Sequence, residues 1–177
     1  MAASGVKHPL FGGAVSLWLP KQFMDASDFR QVPDNQEVLL AGDSDVSVIV
    51  EVLQQATEGS SQGALDRAAR FHFDSLAHDN SATNVHVDWI DAPDAKAADN
   101  ATPRPALLKG TQTVKKFGKV TDEDVVQIWI AVWRLPGKHV DLVLSRNNPD
   151  AADVDQQSQD FRATAGSLRI VDWSLFA

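Results

Sequence analysis

The stretch Val125-Val126-Gln127-Ile128-Trp129-Ile130-Ala131-Val132-Trp133-Arg134-Leu135-Pro136-Gly137-Lys138-His139-Val140-Asp141-Leu142-Val143-Leu144 sets the architecture. Val126, Ile128, Ile130 and Val132 fall on one side of an extended chain, and Trp129, Ala131, Trp133 and Leu135 on the other, so both faces of this strand must be covered. Pro136-Gly137 suits the central positions of a type II turn, where proline presets φ and glycine tolerates its positive value. Val140, Leu142 and Leu144 then form the return strand of an antiparallel hairpin.

Beyond this hairpin, Asn148-Pro149 offers a cap and a first-turn proline. Ala151, Val154, Ser158, Phe161 and Ala165 then recur at helical spacing, which predicts a helix that Gly166 stops. Leu168 to Phe176 is too apolar for a free tail and is expected to dock. On the other side, Asp91 to Pro105 holds three prolines among small residues and predicts a long mobile loop. Between Gly63 and His78, Leu65, Ala68, Ala69, His72 and Leu76 make an apolar stripe opposite the charged Asp66, Arg70 and Asp74, the pattern of an amphipathic helix. Val46, Val48, Val50 and Val52 alternate with Ser47, Ile49, Glu51 and Leu53 as a strand. Lys7 to Leu19 reads as an opening hairpin around Gly12-Gly13, after a flexible start at residues 1–6. Hairpin-linked strands with helices for both faces predict an α+β fold in one domain over 1–177: a three-layer α/β/α sandwich around a mostly antiparallel sheet.

Composition narrows the partners. A chain of 177 residues, 44% hydrophobic, can bury one sizeable core. Its net charge of -8 disfavours nucleic acid or an acidic membrane leaflet and suits a basic partner. It has no cysteine, which excludes disulfides and thiolate chemistry. The first residues lack the basic start and apolar run of a secretory signal, and the longest apolar run, Ile128 to Trp133, is too short to span a bilayer. The expectation is a soluble intracellular monomer without membrane insertion. The glycosylation-like Asn100-Ala101-Thr102 therefore carries no weight.

Three stretches carry a resemblance: Leu10-Phe11-Gly12-Gly13-Ala14, Phe23-Met24-Asp25-Ala26-Ser27-Asp28-Phe29-Arg30-Gln31-Val32-Pro33-Asp34-Asn35-Gln36-Glu37-Val38, and Val171-Asp172-Trp173-Ser174-Leu175-Phe176. Together they resemble the Mog-type Ran guanine-nucleotide-release-factor family, over roughly residues 8 to 177. The middle stretch, with its Asp-Ala-Ser, Arg-x-Val-Pro-Asp and Gln-Glu-Val in fixed order, is the specific signal. The resemblance implies the antiparallel sandwich shared with photosystem PsbP proteins and binding to the small GTPase Ran, with promotion of guanine-nucleotide release. It also implies a role in nucleocytoplasmic protein transport, a nuclear location with a cytoplasmic pool, and other Ran regulators as further partners. No cofactor and no catalytic or metal residue is implied. The family's contact positions fall on Asp25, Arg30, Asp34, Gln36, Glu37 and Glu51; at Gln54, where a second acid is expected, this chain carries a neutral amide, which forgoes charge assistance in a bond to Lys or Arg.

Residues 1–60 hold eight acids against three bases, a net of -5, so the negative field is concentrated in this third. Within a Debye length of about 8 Å such a cluster steers a basic surface into contact. Several of these positions also have structural readings: Asp25 as a helix cap, Pro33-Asp34-Asn35 as a turn, Gln36 and Glu37 as a solvated strand start. Glu51 differs, because an unpaired carboxylate among Val48, Ile49, Val50, Val52 and Leu53 is costly unless it reaches an edge or a partner. Glu51 and Glu37 are the candidates for drawing a phosphate-binding lysine away from nucleotide or disturbing its Mg²⁺ site.

Covalent chemistry finds little support. Gly42-Asp43-Ser44-Asp45 has loop composition, and the calcium-loop start at Asp43, Asp45 and Ser47 fails at Val48 and Gln54. Gly110 to Lys119 lacks phosphate-loop spacing. His86-Val87-Asp88 and His139-Val140-Asp141 each offer a histidine and an acid on one strand face, a weak metal pattern. Arg104, Lys109, Lys115, Lys116 and Lys119 read as a solvated strand face, and the five tryptophans as mostly core. The alternative function is a small-ligand-binding or hydrolytic sandwich protein of the same fold without Ran binding. A deep pocket lined by His86, His139 and carboxylates would favour it.

Overall fold

A computed structural model describes residues 5–56, 64–93, 102–115 and 122–177. In chain order these carry strands β1 (Val6–Leu10), β2 (Val15–Leu19), β3 (Phe23–Asp25), β4 (Gln36–Ala41) and β5 (Ser47–Gln54), helix α1 (Leu65–Asp79), strands β6 (Asn84–Asp91), β7 (Ala106–Lys115), β8 (Glu123–Leu135) and β9 (Val140–Asn148), helix α2 (Val154–Ser167) and strand β10 (Arg169–Ile170). Short 3-10 turns at Phe11–Gly13, Ala26–Asp28 and Trp173–Phe176 complete them.

The hairpin of residues 125–144 lies inside a seven-stranded antiparallel sheet of order β3-β4-β5-β9-β8-β7-β6. Leu135 faces Val140, the Leu135 carbonyl accepts the Lys138 amide at 3.3 Å, and Gly137 has φ 69°, as the type II turn requires. Both faces are covered, as the doubly apolar pattern of β8 demands. On one side Ala68, Ala69 and Phe73 of α1 pack on Leu108, Ile128, Ile130 and Val132. On the other, Phe161 and Ala165 of α2 join Leu10, Val15 and Leu17 over Val50, Trp129, Trp133 and Leu144. Each fully buried Val, Leu, Ile or Phe among these contributes about 1.5–3 kcal/mol. The architecture is the expected α+β sandwich, but the α2 layer is mixed, because β1, β2 and β10 form a separate three-stranded sheet within it. Two residues of β10 are too few to show a period of two.

The opening hairpin turns through Gly12 and Gly13 at φ 67° and 95°, with Phe11 also left-handed at 51°. The flexible start does not extend to Val6, which pairs with Leu19; residues 1–4 are outside the described residues. The C-terminal stretch docks, with Leu168 and Phe176 buried and the Val171 and Asp172 amides both donating to the Ala14 carbonyl. The predicted loop at 91–105 begins after Asp91, the last residue of β6, and residues 92–93 and 102–105 stand outside strands; residues 94–101, including Asn100, are not among the described ones.

Four expectations are corrected. Asn148 does not cap α2: it is the last residue of β9, held opposite Gln127, and the helix starts at Val154 after a turn in which Asp150 and Ala152 amides donate to the Asn148 and Asp150 side chains. Gly166 does not stop α2 either, since the helix runs to Ser167 and ends where Leu168 extends into the core. Lys109 is not solvated; it is 4% exposed and bonded to Asp88 and Gln127. Lys116 and Lys119 are outside the described residues. His139 sits in the hairpin turn at φ 54°, apart from Asp141 on the strand.

Candidate functional site

The Pro33-Asp34-Asn35-Gln36 turn closes with the Gln36 amide on the Pro33 carbonyl at 3.0 Å and delivers the chain into β4. The Val52 amide donates to the Asn35 carbonyl at 2.9 Å, fixing the register in which Gln36 faces Glu51. Directly opposed residues share a sheet face, and here Gln36 Nε2 donates to Glu51 Oε2 at 3.0 Å. A neutral amide satisfies one carboxylate oxygen and leaves the charge in place. Glu51 and Gln54 border a cavity of about 420 Å³ between the end of β5, the flank of α1 at Phe71 and Asp79, and a floor of Ile130, Val143 and Ser145. The cavity opens there because α1 lies over β6, β7 and β8, so its cover ends before β5.

Glu37 follows Gln36 in the strand and points to the opposite face, toward the small sheet, where its Oε1 accepts the Phe11 amide at 2.6 Å. Burial raises the Glu37 carboxyl above its ordinary value; the Phe11 amide opposes this and the nearby charge of Asp25 adds to it. Asp25, on that same face, caps the Ala26–Asp28 turn by accepting the Ser27 amide at 2.8 Å. Arg30 and Asp34 are exposed. The fold therefore brings Glu51 and Gln54 to one cavity edge, with Gln36 bonded to Glu51, and Asp25 and Glu37 to the other side of the sheet. Among the described residues, none of Asp25, Asp28, Asp34, Glu37, Asp43, Asp45 and Glu51 enters an ion pair with a basic side chain.

Sequence reasoning missed the buried cluster that holds two residues of the cavity lining, Ala56 and His72. Asp141, wholly buried, accepts His72 Nε2 at 2.8 Å, Arg134 Nε and Nη2 at 3.0 and 3.1 Å, and the Ala56 amide at 3.0 Å. Burial alone would raise its carboxyl, but these bonds outweigh it and hold it below the ordinary value. The available signals were an acid between apolar neighbours in a strand and a histidine on the apolar stripe of α1. The cavity is bordered by His72, not by His86 or His139. His86 lies on the edge strand β6, 3.3 Å from Asp88.

The profile of a family described as Ran-interacting Mog1 protein matches residues 8–149. Over 187 aligned positions the chain is 31% identical to the Ran guanine nucleotide release factor of Danio rerio, covering 97% of this chain and 100% of that one. It is 36% identical over 143 positions to the Homo sapiens protein of the same name, covering 80% and 74% of the two chains. Identity to nuclear import protein mog1 of Schizosaccharomyces pombe is 35% over 147 positions, covering 79% and 75%. Among solved structures, that of the Saccharomyces cerevisiae Ran-binding protein Mog1p aligns with TM-score 0.77 at 25% identity, covering 98% of this chain and 99% of that one.

Proposed function

Because this chain belongs to the family of Ran-interacting Mog1 proteins, we propose that it binds the GTPase Ran and promotes release of guanine nucleotide from it, as a regulator of nuclear protein transport rather than a catalyst of covalent chemistry. The reading includes action as a single-domain monomer, in the nucleus with a cytoplasmic pool. The observation that carries it is the state of Glu51: a half-buried carboxylate at the lip of a cavity, hydrogen-bonded to a neutral amide and unmatched by any basic side chain among the described residues. Such a group gains a charge-assisted bond when a lysine or arginine arrives.

A release factor must bind nucleotide-free Ran more tightly than loaded Ran, because coupling between two ligands of one protein is reciprocal. No bond in the nucleotide need break. Glu51, with Gln36 orienting it and Gln54 beside it, is the proposed competitor for a positive group on Ran. Asp34 and Arg30 are proposed as exposed contacts near the start of β4. Asp25 and Glu37, on the other face, contribute to the negative field. The small-ligand alternative gains nothing from the geometry, since neither His86 nor His139 borders the cavity.

The test is a capture of Ran in its nucleotide-free, GDP and GTP forms, paired with release of a fluorescent guanine nucleotide. The wild-type chain is expected to hold nucleotide-free Ran most tightly. Glu51→Gln should weaken that capture by about 2 kcal/mol, the scale of one charge-assisted bond. Unchanged capture and release in Glu51→Gln would remove Glu51 from the mechanism.

A further inference from the structure

We propose that Asp141 is a positioning residue for this cavity: one buried carboxylate fixes the end of β5, helix α1 and the β8–β9 hairpin in the arrangement that presents the Glu51–Gln54 lip. The inference rests on the reading of that lip as the Ran contact. The strand ladder between β5 and β9 ends with Gln54 opposite Val140. Two residues further on, the Ala56 backbone is buried with no strand beside it. Side chains replace the missing ladder: Asp141 Oδ2 accepts the Ala56 amide at 3.0 Å, and Arg134 Nη2 donates to the Ala56 carbonyl at 3.0 Å. The Gln55 amide donates to the His139 carbonyl at 3.0 Å. The same Oδ2 takes His72 Nε2 from α1, so helix, hairpin and β5 exit converge on a single oxygen.

Stability alone gives no reason for this arrangement. Taking a carboxylate and a guanidinium out of water costs several kcal/mol, and well-packed apolar residues hold buried contacts as firmly. An apolar pair at 134 and 141 would close the hairpin, but it could not grip both polar groups of Ala56 and the His72 ring. Geometry is what the charged pair supplies. Glu51 keeps its own anchors, opposite Val143 in the ladder and bonded to Gln36. Loss of Asp141 should therefore free Gln54 and Gln55 relative to α1 while leaving the Glu51 charge in place.

Two variants of the full chain separate positioning from stability: Asp141→Asn, and the apolar double replacement Arg134→Leu with Asp141→Leu. Amide hydrogen exchange is read at Ala56, with Val132 and Leu144 as references, alongside association and dissociation rates with nucleotide-free Ran. In both variants the Ala56 amide is expected to exchange at least about tenfold faster relative to the references, because the carboxylate that anchors it is replaced while the Val132 and Leu144 ladder bonds remain. Dissociation from Ran should quicken about tenfold while association changes less than about twofold, because the exposed charge is untouched. The double variant guards against mere unfolding, since it leaves no buried charge unpaired and the exchange of Val132 and Leu144 reports whether the hairpin stays folded. Unaltered relative protection at Ala56, or an apolar double variant that holds Ran as long as wild type does, would overturn the proposal. Should the wild-type chain not bind Ran at all, the functional reading falls, and the Ala56 exchange pattern still decides whether Asp141 positions the cavity wall.

Discussion

Glu37 and Glu51 stand fourteen positions apart and nearly opposite in register, yet they answer to different surroundings. Glu37 is raised by burial, so the folded chain holds that proton more tightly than the unfolded chain does. The sign follows: its favourable contribution is complete below the unfolded value of 4.5 and is lost as pH rises through the higher folded value. Glu37→Gln keeps an acceptor for the Phe11 amide but has no proton to lose. Urea midpoints of the variant are expected to fall less than those of wild type as pH rises from 4.5, and parallel profiles would show that another group titrates. Asp141 has the reverse sign, contributing above 3.8 and losing that contribution as pH falls through its lower folded value. Sequence identified Glu51 as an acid in need of company but could not reveal that Gln36, rather than a cation, supplies it, because strand register is a tertiary fact. Lys109 was misread for a related reason: its partners Asp88 and Gln127 lie on neighbouring strands.

At the scale of elements, α1 and β7 meet with no room to spare. A methyl group at Gly110 would come within 2.7 Å of the Phe73 ring and 2.4 Å of the His86 carbonyl. Gly110→Ala must move the helix or the edge strand, and a loss of about 2–3 kcal/mol is expected from the chemical-denaturation midpoint. A loss under about 0.5 kcal/mol would mean that α1 sits further from the sheet. The helix was legible because Leu65, Ala68, Ala69, His72 and Leu76 repeat at its period, and β8 because apolar residues on both sides leave a covered strand as the simplest solution. The start of α2 was not legible. Asn148-Pro149 has the local chemistry of a helix start, but pairing with Gln127 keeps Asn148 in the strand, and long-range hydrogen bonds outrank a local cap. The cavity was hidden for a further reason: it exists because α1 stops short of β5, and no periodicity reports where a helix lies across a sheet.

Over the whole molecule the chain bears a net charge of -8, and the described acids of the first third enter no ion pair with a basic side chain among the described residues. Association with Ran should then slow about tenfold between roughly 50 and 500 mM salt, with dissociation nearly constant, as stopped-flow mixing would show. A salt-independent association rate would argue for an apolar contact instead. One further property follows from the outermost strand. Among the described residues no strand pairs with the outer side of the eight-residue β6, and such a margin is a template on which other chains could stack. Its pairing slips between Val87 and Trp89, Asp88 bonds the buried Lys109, and Arg162 lies 4.4 Å over the Trp89 ring while gripping Asp91. A kinked, charge-studded margin makes a poor seed for fibrils.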